Sequence, residues 1–476
     1  MSEKVDKLKA RLAGLGVTTG NEIAAPRSKR PAASAESAPP APAEARGDTS
    51  ASLIQDLRAR LGGAGAPAPL PARDLDSAPP TPGDHEIDRV VRGKVEGGDE
   101  AGGFYLVRRD YPLDYAQGAV ALGSALQSGA KEIAFSASDT ELLAFDARRA
   151  LFIDTETTGL AGGAGTVAFL VGVGYFHGDV FRLDQCFMRD YDDEAPMLAW
   201  LGELARDFDA LVSYNGKSFD LPLIRTRFIQ NRVPCRFEGL LHYDLVHAAR
   251  RFWKRRLRDC SLGSIEREVL GVRRAGDVPS WMIPQLYFDY LDSRDARPLE
   301  AVFYHHRMDI LSLAALTGWI ARCLTAPEGF EHAEDRLSVV RMHFRQKAWA
   351  EVAAQGRRFL DGGEGEALRR ECLEMVGLAH KRLGQWEAMC DAFERMLAEF
   401  PQDFTARVEL AKLHEHRTRD LCTARRLCEE GLKYYYTQLS LARPAGLDEA
   451  GAAALQQRLA RIKRKLGRAG DELEGL

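Results

Sequence analysis

In the stretch 151–160, LFIDTETTGL, an apolar run ends in an aspartate and a glutamate one residue apart. On a strand, residues two apart project to the same face, so Asp154 and Glu156 would stand side by side at its C-terminal end. Two carboxylates held together repel unless a cation lies between them, which makes the pair a candidate metal site; a solvated pair of loop acids is the plainer alternative. Asp220 lies in YNGKSFDLPLIRTRF, where Asn215 closes a strand-like run and Asp220 opens a helical one. Asp309, in YHHRMDILSLAAL, opens the amphipathic run Ile310, Leu313, Ala314 and Leu316. Taken singly, Asp220 and Asp309 are also what the helix dipole favours at a helix start. The GKS triplet at 216–218 lacks the earlier glycine of a phosphate-binding P-loop, Leu211 standing in its place.

These acids need a scaffold, and the surrounding pattern supplies one. From about residue 86 the composition is globular, with GGFYLVRRDYPLDY reading as strands and turns. TVAFLVGVGYF and VFRLDQCFMRD flank HGD, a hairpin turn. DDEAPMLAWLGELARDF opens with acids and a proline, as a helix does, and ALVSYN gives a further strand. Strand, hairpin, helix and strand make an α/β plan with a mixed sheet, closed by a helix around 314–324. From about Leu337 the periodicity is wholly helical. Gly377, His380, Gly384, Trp386, Met389, Phe393, Met396 and Pro401 stand at tetratricopeptide-repeat spacing, with weaker copies on either side, so about three helical hairpins are expected.

Residues 1–85 hold 11 of the 21 prolines among Ala, Ser and Gly, too little apolar surface to offset ordering entropy, and are expected to form a disordered leader. Within it LKARL at 8–12 recurs as LRARL at 57–61, either by chance or as a pair of short partner-docking helices. A net charge of −4 excludes a broadly basic nucleic-acid binder, so any phosphate-binding surface must be a local patch. Eight cysteines without a C-x-x-C pair argue against a zinc site or a disulfide framework, and the N-terminus lacks the apolar core of a signal peptide. A cytoplasmic location is expected.

The order D-x-E, N-x3-F-D and a final Asp beside His and Tyr resembles the three-part signature of the DEDD-superfamily 3′-to-5′ exonucleases. FIDTETTGLAGGAGT, YNGKSFDLP, RDCSLGSIEREVLGV and HHRMDILSLAAL resemble, more closely, the YprB-like bacterial proteins, in which a ribonuclease H-like exonuclease domain precedes tetratricopeptide repeats. The resemblance implies an α/β ribonuclease H-like domain over 151–326 after a strand-and-turn extension at 86–150. All-α repeats at 335–440 and a C-terminal helix or tail at 441–476 follow. It implies that Asp154, Glu156, Asp220 and Asp309 bind two Mg²⁺ or Mn²⁺ ions; Asp244, in HYDLVH, is a fifth acid read as supporting or structural in preference to a ligand. Two such ions, roughly 3.5 to 4 Å apart, activate a water and stabilise the leaving 3′ oxygen. The motif residues Thr157, Gly159, Leu160, Asn215, Lys217 and Phe219 are expected on the substrate side, Leu160 resembling the family position that packs on the terminal base, with a structural apolar role as the alternative. DNA repair alongside a helicase is the implied setting.

One departure from the family concerns the group that serves the attacking water. The family uses a His with four residues, or a Tyr with three, between it and the last Asp; here Tyr304 has the His spacing and His305 the Tyr spacing. If a helix already runs through this stretch, His305 lies about 40° from Asp309 and Tyr304 about 140° away, with His306 about 60° off on the other flank. An imidazole also accepts a proton near neutral pH more readily than a phenol, so His305 is expected to serve, with His306 in reserve. The run RRFWKRRLR at 250–258 puts basic residues, Arg251 and Arg255 among them, beside Phe252 and Trp253. It reads either as a patch that holds phosphates and stacks a base or as an amphipathic helix with its aromatics in the core. The expected activity is 3′-to-5′ hydrolysis, of DNA in preference to RNA. An RNA-processing exonuclease of the same fold and a repeat-based nucleic-acid-binding adaptor are the alternatives.

Overall fold

The computed structural model describes residues 86–97, 102–159, 165–363, 365–441 and 448–474. Leu160 and both LxARL segments lie outside the described residues. Nine strands are described: β1 (Lys94–Glu96), β2 (Phe104–Pro112), β3 (Ala116–Gln117), β4 (Val120–Ala121), β5 (Ala150–Thr157), β6 (Ala168–His177), β7 (Val180–Phe187), β8 (Ala210–Ser213) and β9 (Leu241–Asp244). Seven form one sheet in the order β1-β2-β7-β6-β5-β8-β9, and β3 and β4 pair separately. β5 is antiparallel to β6 and parallel to β8, so it stands where the sheet changes sense. The carboxyl ends of parallel strands at such a point open a crevice into which the following loops can project side chains.

Alternation along β5 sorts its residues between two cores. Leu151 and Ile153 enter one, with Leu198, Leu211 and Phe228, while Ala150 and Phe152 enter the other, with Phe181, Val212 and Tyr243. Burial stops at Asp154, where β5 runs on beyond its pairing with β8, and the register with β6 shifts between Glu156 and Thr157. The strand therefore delivers its acids at the edge of the hydrophobic layers, with a bulge that re-aims the chain.

The helix Leu299–Thr325 begins after Pro298, so Asp309 sits in its interior instead of opening it. Proline is well tolerated at that boundary because the first N–H groups of a helix lack intrahelical partners anyway. Leu299, Val302 and Phe303 join the first core, and Ile310, Leu311, Leu313 and Ala314 the second. This is the one described helix long and apolar enough to cross a membrane, but 72% of its apolar window is buried inside the protein. Beyond it, Ala333–Arg345 with Trp349–Asp361, Glu366–Leu383 with Trp386–Glu399, and Phe404–Leu413 with Leu421–Ser440 form three helical hairpins, followed by Glu449–Glu474. Gly377 lets the middle pair approach closely, since a Cβ there would lie 2.7 Å from the Phe393 ring.

The basic run 250–258 lies where the first hairpin meets the sheet-bearing part. Phe252 and Trp253 are fully buried. Arg251 donates to the Ser136 carbonyl, Arg255 pairs with Glu371 at 3.1 Å and Arg256 with Asp335 at 2.9 Å. The helix Leu245–Trp253 ends inside the run, so the amphipathic-helix alternative describes only its first part: the aromatics are core residues, and these three guanidiniums bond within the protein.

Candidate active site

Three segments bring four carboxylates together: β5 carries Asp154 and Glu156, the helix Asp220–Gln230 starts with Asp220, and Leu299–Thr325 carries Asp309. Burial, followed by the neighbouring charges of Asp309 and Asp220, raises both Asp154 and Glu156 well above the usual carboxylate range. Burial also raises Asp220, against the lowering effect of the Thr155 hydroxyl, which donates to its Oδ1 at 2.5 Å. Donor atoms of Glu156, His305 and Asp309 lie within 4.8 Å of one another.

The turn before Asp220 is shaped by Asp244. Its carboxylate accepts the backbone N–H of Asn215 at 2.7 Å and of Lys217 at 3.0 Å, which helps hold Asn215 at φ 67°. Gly216 fits because the turn lies directly on Ser213: a Cβ there would sit 2.7 Å from Ser213 Cβ and 3.3 Å from Asp220 Oδ2. Lys217 and Phe219 are exposed, and Thr157 bonds locally to the Gly159 carbonyl.

The three residues before Asp309 that compete for the water position face different ways. His305 Nδ1 lies 2.8 Å from Asp277 Oδ1, and its Nε2 lies 3.4 Å from Asp309 Oδ2 and 4.0 Å from Glu156 Oε1. A carboxylate only accepts, so Nδ1, closer to Asp277 than to Arg274 Nη1 at 3.3 Å, donates to Asp277, and Nε2 faces the acids with the Ser280 hydroxyl 3.3 Å away. His306 is fully buried, donates from Nε2 to the Asp154 carbonyl at 3.1 Å and accepts at Nδ1 from Gln185. Burial lowers its pKa to about 4, so it stays neutral. Gly172 makes its place: a Cβ there would fall on His306 Cε1 and lie 2.8 Å from Nε2. Tyr304 turns away, its hydroxyl 3.4 Å from the Ala275 N–H and its ring under Arg307.

A cleft of about 1020 Å³ opens over this cluster, with Asp154, His305, Asp309, Glu266, Arg274 and Asp277 in its lining. Arg267 and Arg273 also line it, as does Ser280, which is followed by Trp281, 71% exposed.

Residues 151–321 match the RNase H superfamily. The uncharacterized protein YprB of Bacillus subtilis (strain 168) is 32% identical over 325 residues, which cover 66% of this chain and 74% of that protein. The chain belongs to the YprB-like proteins of the RNase H superfamily. The seven-stranded mixed sheet with its helices is thus an RNase H-like nuclease domain, and the helical hairpins follow it.

The YprB-like site suits a hard divalent cation on its own chemistry. Its converging donors are carboxylate oxygens, held by burial and mutual repulsion in a state that a cation would relieve. Glu266, Arg274, Asp277, Thr155 and Gln185 escape a sequence reading, because each meets the site only through contacts across the fold. The only signal for Glu266 was its place inside RDCSLGSIEREVLGV.

Proposed function

We propose that this chain is a metal-dependent 3′-to-5′ exonuclease acting on single-stranded nucleic acid, DNA in preference to RNA. The observation that carries the reading is the convergence of Asp154, Glu156, Asp220 and Asp309 beside a histidine whose Nε2 faces them and whose Nδ1 is held by Asp277. These four acids would hold two Mg²⁺ or Mn²⁺ ions, which supply charge neutralisation at the scissile phosphate and a more acidic water. His305 accepts the water's proton at Nε2, and Asp277 keeps the opposite nitrogen protonated and stabilises the imidazolium that forms. His306 holds the strand end by its bond to the Asp154 carbonyl and moves no proton.

The cleft walls support a polyanionic strand. Arg267 and Arg273 line the same opening as the acids. Trp281, next to the lining residue Ser280, and Phe219, next to Asp220, lie outside that lining but are 71% and 60% exposed and present flat faces to unstacked bases. The 3′-to-5′ polarity is supported by the order of the acids along the chain, which resembles that of the DEDD exonucleases. The test is incubation of the purified chain with end-labelled single- and double-stranded DNA and RNA in Mg²⁺, Mn²⁺ or EDTA. Ladders shrinking from a free 3′ end, absent in EDTA and absent on a circular strand, are expected. Rapid cutting of the circle would replace the exonuclease with an endonuclease.

A further inference from the structure

Arg274 moves no proton in this scheme, yet its guanidinium touches three of the groups involved. Its Nη2 donates to Asp309 Oδ1 at 2.5 Å. Its Nη1 donates to Asp277 Oδ2 and to the His305 carbonyl, both at 3.4 Å. On the far side, Nε and Nη2 bond Glu266 at 2.7 and 2.6 Å.

Glu266 is 2% exposed and anchored in turn: the Ser312 hydroxyl donates to it, and Gln117 donates to Ser312 at 2.9 Å. Gln117 and Ser312 are both buried, so the chain of bonds runs from the interior to the cleft. A buried carboxylate needs a cation, and Arg274 meets that need. A cation serving Glu266 alone, however, has no reason to reach Asp309. The guanidinium does so because its five N–H groups point in fixed directions from one plane, so a fork locked on Glu266 has donors left for Asp309 and Asp277.

The result divides the Asp309 carboxylate. Oδ1 is taken by Arg274, and Oδ2 is left 3.4 Å from His305 Nε2, which in turn lies 4.0 Å from Glu156 Oε1. We propose that Arg274, clamped by Glu266, is the positioning residue of the site: it presents Asp309 to a divalent cation by one oxygen and keeps the Asp277–His305 pair in register. The proposal rests on the metal-dependent reading above.

Two variants of the full chain test it without changing the net charge. Arg274→Lys keeps the cation but loses the fork; Glu266→Gln with Arg274→Gln removes both charges together. Melting temperature, Mn²⁺ affinity by titration calorimetry and single-turnover hydrolysis of an oligonucleotide are measured for each. Expected are melting temperatures close to wild type, with Mn²⁺ affinity and turnover each reduced about tenfold to a hundredfold, the range for groups that orient metal ligands. Wild-type Mn²⁺ affinity in either folded variant would overturn the proposal and leave Arg274 as a counter-ion to Glu266. Should the wild-type chain bind Mn²⁺ but hydrolyse nothing, the exonuclease reading falls while the affinity comparison still decides the role of Arg274.

Discussion

Replacing Glu156 by Gln is expected to stabilise the metal-free protein while abolishing hydrolysis. Glu156 is raised above the usual carboxylate range by burial first and by the charges of Asp309 and Asp220 next. With donor atoms of Glu156 and Asp309 within 4.8 Å, Coulomb's law at an effective dielectric of about 20 gives roughly 3.5 kcal/mol of repulsion. Arg274, bonded to Asp309, offsets part of this, so we expect the variant to gain about 1–3 kcal/mol in EDTA. For a domain of this class that is a rise in melting temperature of roughly 2–12 °C. The pH dependence has a definite sign. Because the folded-state value lies above the unfolded one, the folded protein holds the extra proton. The penalty is therefore absent below the unfolded carboxylate range, near pH ~4, and complete once pH passes the raised folded value. Metal-free wild type should gain stability as pH falls from above the raised folded value towards the unfolded carboxylate range, and Glu156→Gln should gain less. Scanning calorimetry in EDTA and in Mn²⁺ is the assay, with Mn²⁺ stabilising the wild type more than the variant. A lower melting temperature for Glu156→Gln in EDTA would show that this carboxylate is held by favourable partners, and the electrostatic reasoning would be wrong.

Three further outcomes are expected. His305→Ala should reduce single-turnover hydrolysis by roughly 10² or more, while Tyr304→Phe stays near wild type; the reverse order would place the tyrosine at the water. Trp281→Ala should raise KM for single-stranded oligonucleotides about tenfold with kcat little changed, and an abasic substrate that erases this difference would confirm stacking. Gly172→Ala should cost about 1–3 kcal/mol in denaturant unfolding, because the new methyl group meets His306 and lies 3.0 Å from Ile310 Cδ1. Unchanged stability there would mean that the helix carrying Asp309 moves away freely.

Much of the site's geometry was local and therefore legible in the chain. Period-two alternation in ALFIDTET places Asp154 and Glu156 on one face at the point where burial ends, and backbone geometry alone requires this. The turn of a helix likewise separates His305 from Tyr304, provided the helix is continuous, and it runs unbroken from Leu299. Helical periodicity after residue 337 similarly marks the hairpins.

What only the tertiary structure decided depends on partners far away in sequence. RRFWKRRLR has the same composition whether it faces a polyanion or a second helical layer, and packing against the hairpins put Phe252 and Trp253 in the core and Arg255 on Glu371. His305 and His306 are adjacent and chemically alike. One stays in the cleft and the other is buried and neutral because Gly172, on another strand, leaves a space of imidazole size. Arg274 lies 35 residues before Asp309, and no periodicity relates them. Their meeting follows from the sheet order and from a buried glutamate that must be neutralised, which are properties of the whole fold and not of any segment.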